Sequence, residues 1–71
     1  MQTLLRQIRQ QAGLRQSDLA IRLKKPQPFV SRYEIGEKML DLPESRQVCH
    51  ALGLSLLDFV QRYEQALYDF D

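Results

Sequence analysis

Gln27, Ser31 and Arg32 bring an amide, a hydroxyl and a guanidinium into six consecutive residues. An amide can pair bidentately with adenine N6 and N7, and a guanidinium with guanine O6 and N7. The trio therefore has the donors and acceptors that read base edges in the major groove of double-stranded DNA. Pro28 and its neighbour Phe29 add apolar surface that can meet a thymine methyl. Nearby in the chain, Arg15, Gln16, Lys25 and Lys38 are candidates for holding phosphates, a salt-dependent contact that carries no sequence information.

These side chains act together only if something rigid presents them on one face. The segment from about Gln27 to Glu34 can do so as a short helix that buries Val30 and Tyr33 and turns Gln27, Pro28, Ser31 and Arg32 outward. Just before it, Gln16 to Leu23 reads as a second short helix, burying Leu19, Ala20 and Leu23. A tight turn joins the two, giving a helix-turn-helix layout. Pro26 and Pro28 preset the first turn of the reading helix, where a missing N–H does no harm.

The rest of the chain supports this pair with three more helices. The first is expected from about Thr3 to Ala12, with Leu5, Ile8 and Ala12 at helical spacing and Gly13 as its stop. Gly36 ends the third, and Glu37 to Leu40 forms a loop. Asp41 with Glu44, and Ser55 with Asp58, fit capping boxes that launch a fourth helix to Gly53 and a fifth to about Asp69. No segment alternates with period two, so the expected fold class is all-α, in one domain spanning 1–71.

Charge divides the chain. Residues 1–38 hold eight basic and three acidic side chains, +5; residues 39–71 hold two basic and six acidic, −4. A polyanion is drawn to the first half, where the helix-turn-helix lies. Seventy-one residues leave room for one small core, so tight packing or oligomerisation must add stability. No apolar run is long enough to cross a membrane, and the first ten residues lack a secretory signal's apolar stretch, so the expected location is cytoplasmic. Cys49 stands alone, and His50 beside it points about 100° away on a helix, so neither a metal nor another cofactor nor a catalytic centre is expected.

LRQIRQQAGLRQSDLA, VSRYEIGEK and CHALGLSLLDFV, in that order, cover positions 4–60. They resemble the Cro/CI-type helix-turn-helix domain of phage repressors and Xre-like bacterial regulators. The resemblance implies a compact five-helix, lambda-repressor-like bundle that binds operator DNA as a dimer. It assigns Gln27 to the leading base-reading position, Gln16 to a phosphate clamp, and Arg9 with Glu34 to a structural ion pair between the first and third helices. Two positions depart from the family pattern. Arg15 stands where Thr or Ser usually caps the second helix, giving up about 1 kcal/mol of capping. Lys24 stands where the turn usually has glycine, at a cost of about 1 kcal/mol if its φ is positive.

Leu56, Val60, Tyr63, Leu67 and Phe70 recur with spacing 4, 3, 4, 3, the seam of a helix that packs on another helix. Leu56 and Val60 are assigned to the domain's own core. Tyr63, Ala66, Leu67 and Phe70 are assigned to a homodimer interface, the competing arrangement being a fold back onto the first helix near Leu4 and Leu5. The expected function is a homodimeric repressor that reads a palindromic operator. The alternatives are an antitoxin or restriction–modification controller that also binds a toxin or other protein, and an interaction module that has lost DNA binding.

Overall fold

The computed structural model describes residues 1–69, which form α1 (Gln2–Gln11), α2 (Gln16–Leu23), α3 (Gln27–Glu34), α4 (Leu42–Ala51) and α5 (Leu56–Asp69), with no strand among the described residues. Phe70, assigned above to a dimer seam, lies outside the described residues.

Local chemistry starts the helices. At α4, Asp41 Oδ1 accepts from Glu44 N at 2.7 Å while Glu44 Oε1 accepts from Asp41 N at 3.1 Å. At α5, Ser55 Oγ accepts from Asp58 N at 3.0 Å, and Asp58 Oδ2 receives Ser55 N at 3.4 Å. Only half of this arrangement exists at α2, because a guanidinium has no acceptor. Asp18 Oδ2 accepts the Arg15 backbone N–H at 2.9 Å and Arg15 Nε at 3.1 Å. That hydrogen bond from the guanidinium, and then the one from the backbone, hold the Asp18 carboxyl below its ordinary range. α1 sits one residue earlier than its spacing predicted. Its last turn closes on Ala12, whose N–H bonds Ile8 O, so Ala12 is an exposed cap and not a core residue.

The core takes Leu5 and Ile8 from α1, Leu19 and Ala20 from α2, Val30 and Tyr33 from α3, Val48 and Cys49 from α4, Leu52 after it, and Phe59 from α5. α2 packs on both α3 and α4, while α1 closes on α3 and α5 on α4. Leu23, expected inside, is only half-buried at the end of α2.

α5 is rotated from the predicted seam. Phe59 is its buried anchor, with the Tyr63 ring stacked on it at 6.4 Å, and Val60 is exposed. The inward stripe is therefore Leu56, Phe59, Tyr63 and Ala66, at spacing 3, 4, 3. Its far end lies beside α1, where Leu4, Gln7, Tyr63, Ala66 and Leu67 line an apolar groove of about 240 Å³. The outward stripe is Leu57, Val60, Leu67 and Tyr68. An aromatic ring at 59 buries more surface than valine at 60, which sets the rotation of the helix.

Lys24 ends α2 in the left-handed region, at φ 57° and ψ 41°. Its N–H bonds Ile21 O at 3.1 Å, and the N–H of Lys25 bonds Ala20 O at 3.0 Å. A side chain there crowds its own carbonyl, which glycine avoids. Lys24→Gly is expected to raise stability by about 1 kcal/mol, read as a higher urea midpoint with unchanged slope. An unchanged or lower midpoint would mean that this turn holds no strain.

Candidate nucleic-acid interface

Pro26, with φ −63° and ψ 149°, turns the chain into α3, and Phe29 N closes the first turn on Pro26 O at 3.0 Å. Because Val30 and Tyr33 are anchored in the core, the opposite side of α3 must face out. Gln27, Pro28 and Arg32 are exposed there, and among the described residues no ion pair or side-chain hydrogen bond holds Gln27 or Arg32. Ser31 sits at the edge of this face, partly buried, with Oγ donating to Pro28 O at 3.2 Å. A hydroxyl committed to the preceding turn is less available to a base than a free one.

Phe29 does not extend the reading face. Its half-buried ring meets Tyr33 edge-to-face, with centroids 5.9 Å apart. Two ammonium groups gather on it: Lys25 Nζ at 5.6 Å and Lys38 Nζ at 5.5 Å from the ring centroid. Lys38 Nζ also pairs with Glu44 Oε2 at 3.2 Å. The Asp41 backbone N–H, followed by Lys38, holds the Glu44 carboxyl below its ordinary range. One aromatic ring thus gathers two cations that enter from opposite ends of α3, one from each flanking loop. Sequence spacing gives no sign of this, since residues 25 and 38 meet only through the fold.

Arg9 and Glu34 form the buried centre behind the face. Arg9 Nε donates to Glu34 Oε2 at 2.7 Å and Arg9 Nη2 to Oε1 at 3.0 Å, a bidentate pair. Arg9 Nη1 also reaches Leu14 O at 2.7 Å, and Gln16 Nε2 donates to Glu34 Oε1 at 3.1 Å. The hydrogen bond to Glu34 is the main reason the Arg9 guanidinium is held above its ordinary value, against the opposing effect of burial. The end of α1, the start of α2 and the end of α3 are thereby tied at one point. Gln16, assigned to a phosphate, commits one amide hydrogen to Glu34 and keeps the second to offer outward. Arg15 is exposed, with its guanidinium shared with Asp18.

No cluster of metal-ligating side chains occurs among the described residues. Cys49 is buried and its thiol is pushed up by that burial, while His50 is exposed. No described helix is long and apolar enough to cross a membrane.

A family model described as a helix-turn-helix domain matches residues 3–61. The chain belongs to that family, with the all-helical fold expected of it. Membership points to DNA as the ligand and to regulation as the role. Comparison with curated proteins and with solved structures finds no match.

Proposed function

We propose that the protein is a homodimeric transcriptional regulator that reads a palindromic operator in the major groove and represses by occupying it. Base reading falls to Gln27, Pro28 and Arg32, with Ser31 at the margin; Arg15, Gln16, Lys25 and Lys38 meet phosphates. The observation that carries this reading is the outward side of α3. Its polar residues are exposed, while Val30 and Tyr33 hold the helix from behind and two lysines flank it. The role needs neither cofactor nor catalytic residue, and the protein acts in the cytoplasm.

The dimer is supported by the outward stripe of α5, where Leu57, Val60, Leu67 and Tyr68 are exposed together. A small protein rarely leaves such a row uncovered. Tyr63 and Ala66 line the groove beside α1, as Leu67 does at the border of the two stripes, and reach the interface at most by their edges. A twofold partner would set two α3 helices about 34 Å apart, one turn of DNA per half-site. Selection of bound sites from a random duplex library tests the whole reading. Enrichment of a palindrome with that spacing is expected, and recovery of unenriched DNA would overturn it. The same α5 stripe favours one second reading, an antitoxin or controller whose partner is another protein. Sedimentation separates the two, because a monomer at micromolar concentration removes the homodimer.

Phe29→Leu keeps an apolar body beside Tyr33 but removes the ring that gathers Lys25 and Lys38. Each cation–π contact at such a site is worth about 0.5–1 kcal/mol to the fold, so stability is expected to fall by about 1–2 kcal/mol, and duplex affinity by about fivefold as the two lysines lose their fixed positions. Titration of labelled duplex checks this. Unaltered affinity would show that the ring does not position the lysines for binding.

A further inference from the structure

A cleft lies away from the reading face. It has a volume of about 560 Å³ and runs between the end of α2, the α2–α3 turn and the last turn of α4. Arg22, Lys24, Lys25 and His50 line it with Gln47, and no carboxylate is among the described lining residues. We propose that this cleft is a binding site for a phosphate group. The inference goes beyond the major-groove reading and does not depend on it.

Two helices end here, and helix C-termini attract cations on their own account. That explanation is already used up by other groups. Ala20 O and Ile21 O receive the N–H groups of Lys25 and Lys24, and Cys49 O and His50 O receive those of Leu54 and Gly53. Ala51 O receives Arg22 Nη1 at 3.0 Å. Those carbonyls are satisfied, yet Lys24 and His50 still line the cleft, and Arg22 keeps its remaining N–H donors; Lys25 lines it too, with its Nζ turned to the Phe29 ring. Asp18 feels Arg22 and Glu44 feels Lys25, but each carboxylate is paired with a different cation, Asp18 with Arg15 and Glu44 with Lys38.

Lys24 supplies an independent observation. It is the one non-glycine residue with positive φ among the described residues, held at a turn where glycine is the unstrained choice. A lysine held there at a cost to stability lines the cleft, and retained strain of this kind marks functional positions. Donor-bearing side chains come from three directions: Arg22 from α2, Lys24 from the turn, and His50 with Gln47 from α4. Converging cationic donors suit a tetrahedral anion with several acceptor oxygens. The cleft is open on one side, so the phosphate can belong to a DNA backbone flanking the groove or to a free phosphorylated molecule.

The test is a ¹H–¹⁵N NMR titration of the full chain with inorganic phosphate, at ionic strength held constant with chloride. Saturable shifts confined to Arg22, Lys24, Gln47, His50 and their neighbours are expected, and Lys24→Gly should weaken phosphate binding at least about fivefold, the loss of one close charged contact. Because that variant relieves strain, loss of binding cannot be ascribed to unfolding; Lys24→Gly with His50→Gln should abolish saturation. Non-saturating shifts, shifts spread equally over Arg6 and Arg46, or full binding by the double variant would overturn the site. The salt dependence of duplex binding then identifies the source. A shallower slope in the double variant places a DNA phosphate in the cleft, and an unchanged slope beside saturable phosphate binding assigns it to a free phosphorylated molecule. No DNA enters the first titration, so failure of the site and failure of the operator reading are told apart.

Discussion

Arg9→Ala is expected to cost about 3–5 kcal/mol, the loss that follows when one partner of a buried ion pair is removed. A chain of this length has roughly 4–11 kcal/mol of total stability, so the variant should be largely unfolded at moderate urea. The reason lies in what remains. The Glu34 side chain is only 1% exposed and sits on a core-anchored helix, so its charge cannot reach water. Among the described residues Gln16 is then its one remaining side-chain hydrogen-bond donor, and Leu14 O also loses the Arg9 guanidinium.

Glu34→Ala should cost less, because the longer Arg9 can carry its charge toward solvent from near the surface. Arg9→Lys should fall between, since an ammonium cannot reproduce the bidentate fork and the bond to Leu14 O together. Replacing the pair jointly, by Arg9→Met with Glu34→Leu, should recover much of the loss, as no unpaired charge is buried. Urea unfolding at neutral pH reads all four variants. A cost below about 1 kcal/mol for Arg9→Ala would mean that the pair is not desolvated as its geometry implies.

Arg32→Ala is the functional counterpart. Loss of a bidentate base contact is worth about 1–3 kcal/mol, so affinity for the selected operator should fall roughly 5- to 150-fold. Random-sequence duplex should be bound nearly as before, and one base position of the operator should lose its preference. Arg32 is exposed and outside the core, so stability should be unaffected. Arg15→Ala makes the contrast. It should weaken operator and random duplex alike and lower the salt slope by about one. Equal losses on both DNAs from Arg32→Ala would demote that residue from reader to phosphate contact.

The first and second of these roles were legible in different degrees. Arg9 and Glu34 stood out only through resemblance, because 25 residues separate them and no local pattern links them. The outward placement of Gln27 and Arg32 was legible directly: Val30 and Tyr33 are apolar at helical spacing, which forces the polar residues to the other side. Capping boxes at Asp41 and Ser55 were equally plain, being contacts across three residues.

α5 shows where periodicity fails. Leu56, Leu57, Phe59, Val60, Tyr63, Ala66, Leu67 and Tyr68 offer two overlapping apolar stripes, and the 4, 3, 4, 3 spacing matched the wrong one at Val60. Only the surface presented by α4 chooses between them, by accepting Phe59. Phe29 was similarly ambiguous between core and contact until Lys25 and Lys38 were seen to converge on its ring. The positive φ at Lys24 was open to expectation from the turn's position, but what its side chain faces was not.

Helix boundaries, the outward polarity of α3 and the charge gradient are properties of neighbouring residues, so the amino-acid order alone determined them. Tertiary packing decided the rotation of α5, the gathering of lysines on Phe29 and the cationic cleft beside α4. Each of those depends on residues from different elements being brought within a few ångströms, which only the closed core can do.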